Sequence, residues 1–224
     1  MKIIIPILAL VIAIFIAPWL FPPGNNQPSQ PPGEGLPWQI VPLENGSSRV
    51  FGLTLGTSTL NDARKQFGDS PQVAVIGQRE EPGSLEAYFE SVRLSFLTGK
   101  VILTAELSQD MVNAMRQRSI KTDYMESTTR RSTLNAVDLE LAMDTPIRAI
   151  TFIPSINLDE ATVLQRFGQP AERIRSSDTA EHFLYPGKGL DIVIDSKGKE
   201  LLQYVAPKYF ARLRDPLLLQ SRLR

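Results

Sequence analysis

An internal repeat with a spacing of about one hundred residues is the feature that most constrains the fold of this 224-residue chain. The matching pairs lie 99 or 100 positions apart: Arg49 and Arg148, Phe67 and Phe167, Gly68 and Gly168, Pro71 and Pro170, and Gly99-Lys100 and Gly198-Lys199. Such a constant spacing indicates two copies of one supersecondary unit. The chain is therefore predicted to contain two similar units, at 46–107 and 147–206, joined by a connecting segment at 108–146.

Each copy begins with a pattern that predicts a strand and then a short helix. Apolar strands are expected at 50–55 and 149–153, and helices at 60–67 and 158–167, capped by residues 57–59 and by Asn157. A glycine ends each helix, at Gly68 and Gly168, and a proline follows it. Phe67 and Phe167 are expected to be equivalent buried anchors that hold helix on sheet.

A β-meander is predicted after each helix. Its strands are expected at 72–76, 85–90, 92–97 and 101–107 in the first copy, and at 173–176, 181–185, 190–195 and 201–205 in the second. Val92, Leu94 and Phe96 alternate with polar residues, which predicts a sheet with one face on the core and one solvated. Hairpin turns are predicted at Thr98-Gly99 and Lys197-Gly198. The predicted fold class is thus α+β, with two tandem units of helix and antiparallel sheet.

A long apolar run precedes the repeat. Ile3 to Phe21 are nineteen uncharged residues, enough for a helix to span a bilayer. Phe15 and Pro18 do not fit a signal-peptidase site, so residues 1–21 are expected to stay as a transmembrane anchor rather than to be removed. Lys2 lies before the run, and no Lys or Arg follows it until Arg49, which places the bulk of the chain outside.

The remaining segments are a linker, a connection and a tail. Seven prolines between 22 and 42 indicate a semi-extended linker at 22–45, in which Trp38 and Ile40 could dock on the folded part. Within the connection 108–146, a helix is predicted at 109–119, whereas 138–143 fits a strand or a helical turn. The tail 207–224 is basic and apolar, and it predicts a helix that packs on the domain or contacts lipid or a partner.

Composition excludes several kinds of function. The chain has no cysteine, which excludes disulfides, thiolate zinc sites and a lipidated cysteine. Equal numbers of basic and acidic residues, 24 of each, favour no nucleic-acid partner. His182 is the only histidine, so neither a zinc site nor a Ser/His triad is expected, and no cofactor or metal is predicted. The carboxylates of Asp138, Glu140 and Asp144 lack the loop of a calcium site.

Two stretches carry a family resemblance. LTLGTSTLNDARKQFGDSP at 53–71, followed by VRLSFLTGKV at 92–101, resembles the BamE (SmpA/OmlA) family of bacterial envelope proteins. The second copy looks like a weaker version, and two such units in tandem are similar to the β-lactamase inhibitory proteins. The first family belongs to outer-membrane protein assembly and the second binds an enzyme through its sheet. The resemblance therefore implies a binding or scaffolding module of the envelope.

The alternation in the strands predicts where a partner would bind. Ala87 and Phe89 are expected on the core face. The outward positions are Glu86, Tyr88, Glu90, Arg93 and Ser95 in the first copy, and His182, Asp191 and Val193 in the second. An outward tyrosine beside an arginine has the composition of an interface hot spot, so Tyr88 and Arg93 are predicted at the centre of a protein-binding surface.

The function expected from these features is protein binding rather than catalysis. The chain is predicted to be a single-pass protein of the bacterial inner membrane, held through residues 3–21, with a periplasmic C-terminal domain that binds an envelope protein in assembly or regulation. Two alternatives stay open, namely a hydrolase of cell-wall or lipid substrates and a carrier of lipid or another small ligand. An acid–base constellation would favour the hydrolase, and an apolar cavity would favour the carrier.

Overall fold

A computed structural model describes residues 35–222 except 69, 79, 80, 82 and 125–128, and it has an α+β fold. The predicted membrane anchor at 1–21, and the linker up to residue 34, lie outside the described residues. Among the helices that are described, none combines the length and the apolar character needed to cross a bilayer.

Thirteen strands and five α-helices make up the described chain. The strands are β1 Val41–Pro42, β2 Ser48–Val50, β3 Leu53–Thr54, β4 Gln72–Gly77, β5 Ser84–Leu94, β6 Leu97–Ala105, β7 Lys121–Tyr124, β8 Arg130–Thr133, β9 Ile147–Pro154, β10 Glu172–Arg175, β11 Ala180–Tyr185, β12 Leu190–Asp195 and β13 Leu201–Val205. The helices are α1 Leu60–Phe67, α2 Gln109–Gln117, α3 Ala136–Met143, α4 Glu160–Phe167 and α5 Ala211–Arg222.

Ten of the strands form one antiparallel sheet in the order β10-β11-β12-β13-β9-β6-β5-β4-β8-β7. The strands of the two predicted units meet where β6 pairs with β9, with Val101 opposite Phe152 and Leu103 opposite Ile150. The two predicted units therefore share a single continuous sheet rather than forming two separate ones. The undecided connection 108–146 supplies α2, α3 and the outermost strands β7 and β8.

Helices α1, α2 and α4 pack on one face of this sheet, here called the inner face. Their buried side chains join those of the strands in one apolar cluster, which includes Phe67, Met115 and Phe167. Helix α1 begins with a capping box, in which Thr59 Oγ1 accepts from Asp62 N at 3.2 Å and the Asp62 carboxylate accepts from Thr59 N at 2.9 Å. Both phenylalanines of the repeat thus lie in the same core.

Helix α4 begins later than the predicted range 158–167. Its N-cap is Asp159 rather than Asn157, because the Asp159 carboxylate accepts a hydrogen bond from Thr162 N at 2.8 Å. Leu158 is buried just before the cap. Sequence periodicity counts this apolar residue as helical, although it lies outside the helix.

The predicted strand 50–55 is wrong in one respect, since a turn divides it. Phe51 and Gly52 have φ of 54° and 81°, so the chain reverses and β2 pairs with β3 in a small sheet with β1. The reversal places the Phe51 ring in the core, 5.5 Å from the ring of Phe152 between centroids. The first copy consequently has no counterpart of β9 in the large sheet.

The first meander also differs from its prediction. The expected strands 85–90 and 92–97 are one strand, β5, which continues through a β-bulge between Phe89 and Val92. The hairpin turn lies at Ser95-Phe96, not at Thr98-Gly99, and Ser95 has φ of 60°. Phe96 is therefore not a core residue; it is 68% exposed at the tip of the turn.

The end of the predicted linker belongs to the fold. Leu36 is buried, and Trp38 and Ile40 pack against the main apolar cluster. Tyr204 Oη donates a hydrogen bond to the carbonyl oxygen of Pro37 at 3.0 Å. The docking of Trp38 and Ile40 on the folded part is therefore confirmed, and the predicted linker 22–45 extends too far, since Leu36, Trp38 and Ile40 gain burial on the domain.

Gly99 lies inside β6, at a close approach to β9. A Cβ atom at this position would lie 2.7 Å from Cζ of Phe152 and closer still to the carbonyl oxygen of Ile153. We expect Gly99→Ala to lower the free energy of unfolding by about 1–3 kcal/mol, because an overpacked contact must displace backbone. Urea denaturation of the full chain measures the effect. Gly187→Ala is the control, since nothing lies within 4 Å of its added Cβ, and an equal loss there would contradict the prediction.

Candidate functional site

The outer face of the large sheet, opposite the main core, carries all five predicted site residues. Helix α5 covers part of the half formed by the second copy, because Leu213 and Leu217 pack with Ile174, Leu184 and Val205. Arg214 of this helix also pairs with Glu172 of the edge strand β10, Nε to Oε2 at 2.7 Å. The predicted tail helix thus packs on the domain, and the outer face is not solvated throughout.

The first-copy half of the outer face carries a polar group of four residues, here called the Tyr88 surface: Tyr88, Glu90, Arg93 and Lys100. The Tyr88 hydroxyl donates to Glu90, Lys100 Nζ lies 3.2 Å from Glu90 Oε1, and the same ammonium lies 5.9 Å from the centroid of the Tyr88 ring. Burial and the Glu90 carboxylate raise the pKa of the Tyr88 phenol well above its ordinary value. Tyr88 is therefore a neutral hydrogen-bond donor.

Arg93 lies on the same outer face as Tyr88 because of the bulge in β5. Ala87 and Phe89 are buried on the inner face, and beyond the bulge the buried positions shift by one residue to Val92 and Leu94. Arg93 is therefore outward and exposed, although it belongs to the same strand as Tyr88. Ser95 belongs to the turn and to neither face of a strand.

Glu86 lies on the outer face but is buried, with 7% of its surface exposed. Ser84 Oγ donates a hydrogen bond to Glu86 Oε1 at 2.6 Å. Burial raises the pKa of this carboxyl to about 7, although the Ser84 hydrogen bond and the charge of Arg148 oppose the shift. Glu86 was predicted as a binding residue at an accessible position, and its burial excludes that simple role.

The structure brings His182 and Asp191 together and adds a residue that the sequence did not single out. His182 Nδ1 lies 2.8 Å from Asp191 Oδ2, and His182 Nε2 lies 3.0 Å from Ser176 Oγ. His182 and Asp191 lie in the neighbouring strands β11 and β12, and Ser176 directly follows β10, which pairs with β11. They form a Ser–His–Asp hydrogen-bonded chain, which sequence analysis did not expect.

These second-copy residues are more buried than predicted. His182 is 7% exposed and Asp191 is 2% exposed, and Val193 is also buried, whereas Ser176 is partly exposed in the turn after β10. Their neighbours on the outer face are apolar residues of two clusters, one under α5 and one formed by Ile102, Ile153, Val193 and Leu201. An outward position on a strand is therefore not a solvated one here.

Gln203 lies beside this chain of hydrogen bonds. It is directly opposite Asp191 in the register of β12 and β13, and it is buried. Within the described part of the chain, neither atom of the Gln203 amide nor Oδ1 of Asp191 has a hydrogen-bond partner.

Sequence reasoning missed Ser176, Lys100 and Gln203. Ser176 follows β10 and precedes His182 by six positions, so only the pairing of β10 with β11 places its hydroxyl beside the imidazole. Lys100 was named only as a position of the repeat, and its contact with Tyr88 follows from the pairing of β5 with β6. Period-two alternation of Gln203 with buried Leu202 and Tyr204 was the available signal for its outer position.

The described residues contain no group of three His, Cys, Asp or Glu side chains able to hold a metal ion. No protein-family model, curated protein sequence or solved structure matches this chain.

Proposed function

We propose that this chain is a protein-binding module of the bacterial envelope, anchored in the inner membrane through residues 3–21, with its folded part in the periplasm. Its partner is a second envelope protein, and its role is in assembly or regulation. The apolar run and the charge distribution around it support the anchor and its orientation.

The resemblance to the BamE family supports the choice of a binding module. In this proposal the two copies are BamE-like units, each with a short helix followed by antiparallel strands. Helices α1 and α4 end at Phe67 and Phe167, and strands β4 and β10 follow at Gln72 and Glu172. Two features of the first copy depart from the predicted unit. A turn divides the predicted strand 50–55, and the single strand β5 replaces two predicted strands.

The Tyr88 surface is the observation that carries the proposal. It combines an aromatic ring, an arginine, a lysine and a carboxylate on a rigid sheet, and tyrosine and arginine are the residue types most common at the energetic centres of interfaces. Helix α5 packs on Ile174, Leu184 and Val205 in the other half of the outer face, whereas Arg93 is exposed. The surface is held by its own hydrogen bond and ion pair, so little side-chain entropy would be lost on binding.

Crosslinking in living cells tests the proposal. We expect a Tyr88→Ala, Arg93→Ala double variant to lose at least about tenfold of the crosslinking yield to the main partner, because central interface residues contribute on the order of 2 kcal/mol each. Yields are compared by mass spectrometry after equal recovery of the membrane-bound chain. The matched control is Lys121→Ala, Tyr124→Ala, which removes a cation and an exposed tyrosine from the far edge strand β7.

The control defines what would contradict the proposal. Undiminished crosslinking of every partner by a correctly folded Tyr88→Ala, Arg93→Ala variant excludes the Tyr88 surface as the binding site. An equal loss in the β7 variant would mean that the effect is general and not specific to this surface.

A further inference from the structure

The hydrogen-bonded chain Ser176–His182–Asp191 has a defined direction. The Asp191 carboxylate can only accept, so His182 carries its proton on Nδ1 and donates it to Asp191 Oδ2. In the neutral imidazole the other ring nitrogen, Nε2, is then an acceptor, and the Ser176 hydroxyl, 3.0 Å away, can donate to it. This is the polarity in which a histidine acts as a general base toward a serine.

Burial agrees with this direction. His182 and Asp191 are almost fully buried and Ser176 is partly exposed, so the hydroxyl is the end of the chain that a substrate can reach. Ser176 Oγ also lies 3.4 Å from the carbonyl oxygen of Ala180, which is at the long limit of a hydrogen bond. The hydroxyl proton is therefore directed mainly to the imidazole.

We propose that Ser176 is a nucleophile that cleaves small, uncharged carboxylic esters, an activity beyond the proposed binding function. Ser176 Oγ adds to the ester carbonyl carbon and its proton moves to His182 Nε2. The ester C–O bond then breaks, and the alcohol leaves with the proton held by His182. A water molecule then gives a proton to His182 Nε2 and adds to the acyl carbon, the bond from that carbon to Ser176 Oγ breaks, and His182 returns the proton to Ser176 Oγ, so that ester and water give acid and alcohol.

The surroundings of Ser176 define the substrate class. Ser176 is only partly exposed, and Ser177 Oγ closes the turn beside it by accepting hydrogen bonds from Thr179 N at 3.2 Å and Ala180 N at 2.9 Å, which favours a small acyl group. Asp178 lies in the same turn and the Asp191 carboxylate belongs to the hydrogen-bonded chain itself, which favours an uncharged ester over an anionic phosphate ester.

Asp191 is a positioning residue for His182. It touches no substrate in this scheme, but it holds His182 in the tautomer with Nε2 unprotonated. Replacement by asparagine keeps the shape and can reverse that tautomer, which leaves Nε2 protonated and unable to accept from Ser176.

The test uses the full chain solubilised in detergent, with a fluorophosphonate probe and p-nitrophenyl butyrate. We expect one fluorophosphonate adduct, on Ser176, located by peptide mass spectrometry. Ser176→Ala should abolish the adduct and lower butyrate hydrolysis at least about 100-fold, because the nucleophile is removed.

Two further variants make the result decisive. Ser155→Ala removes an exposed hydroxyl just after β9, outside the turn that carries Ser176, and it should keep both the adduct and the hydrolysis. Asp191→Asn should slow labelling at least about 100-fold and alter its pH profile, while circular dichroism shows that the fold is retained. An unlabelled Ser176 in the native chain, or equal labelling rates in native and folded Asp191→Asn proteins, would overturn the proposal.

Discussion

Alanine in place of Phe67 or Phe167 is expected to lower the free energy of unfolding by about 3–5 kcal/mol at either position, because each change leaves a cavity in the core. Phe67 is 3% exposed and its ring meets the ring of Phe89 edge-on, with centroids 5.2 Å apart. Phe167 is 4% exposed, and the centroid of its ring lies 6.2 Å from the ring centroid of Trp38 and 6.3 Å from that of Tyr185. Denaturant unfolding of the full chain measures both losses.

Phe96→Ala is the matched control for this pair. Its ring is mostly exposed at the tip of the β5–β6 turn, and an aromatic neighbour, Trp38, lies at 6.2 Å. We expect a loss below about 1 kcal/mol there, as for other surface substitutions. A loss that small at Phe67 or Phe167 would mean that the helix concerned is not anchored on the sheet.

Glu86 is expected to make the fold less stable as pH rises. Its pKa is about 7 in the folded chain and near 4.5 when unfolded, because burial disfavours the carboxylate. Below pH 4.5 the carboxyl is protonated in both states and has no effect. Between pH 4.5 and 7 the unfolded chain loses the proton first, so stability falls by about 3 kcal/mol in total and stays reduced above pH 7.

Replacing Glu86 by glutamine should remove this dependence. The amide keeps the shape and can still accept from Ser84 Oγ, but it does not titrate. At pH 8 the Glu86→Gln variant is expected to be more stable than the native chain by up to about 3 kcal/mol, with no such gain at pH 4. Unfolding by urea across this range gives the difference, and Glu44→Gln, an exposed control, should show none. A native pH profile in the Glu86→Gln variant would contradict the burial of this carboxyl.

Local sequence signals were sufficient for most of the helices and strands. Thr59 and Asp62 form the cap of α1 from positions three residues apart, and Gly68 and Gly168 end their helices with positive φ. The α+β class and the inward positions of Ala87 and Phe89 followed from the same kind of pattern. These features depend on interactions between residues a few positions apart, so they can be predicted from the order of residue types along the chain.

Turns and bulges were less accessible from the sequence. The divided strand at Phe51-Gly52 places a non-glycine residue at positive φ, which the burial of the Phe51 ring in the core offsets. The bulge in β5 likewise keeps Val92 and Leu94 on the inner face of a single strand. In both places the tertiary core outweighs the local preference, and alternation alone cannot locate the change.

The residue types at the two halves of the outer face were readable along the chain, because alternation assigns each side chain to a face. Whether that face is exposed to solvent depends on the packing of α5, whose residues are distant in sequence from most of the strand residues they contact. The contact between Ser176 and His182 depends in the same way on the register of β10 with β11. Many weak contacts between distant parts of the sequence together determine long-range packing and strand register. The burial of the outer face and the Ser176–His182–Asp191 hydrogen bonds therefore form only when the whole sheet has formed.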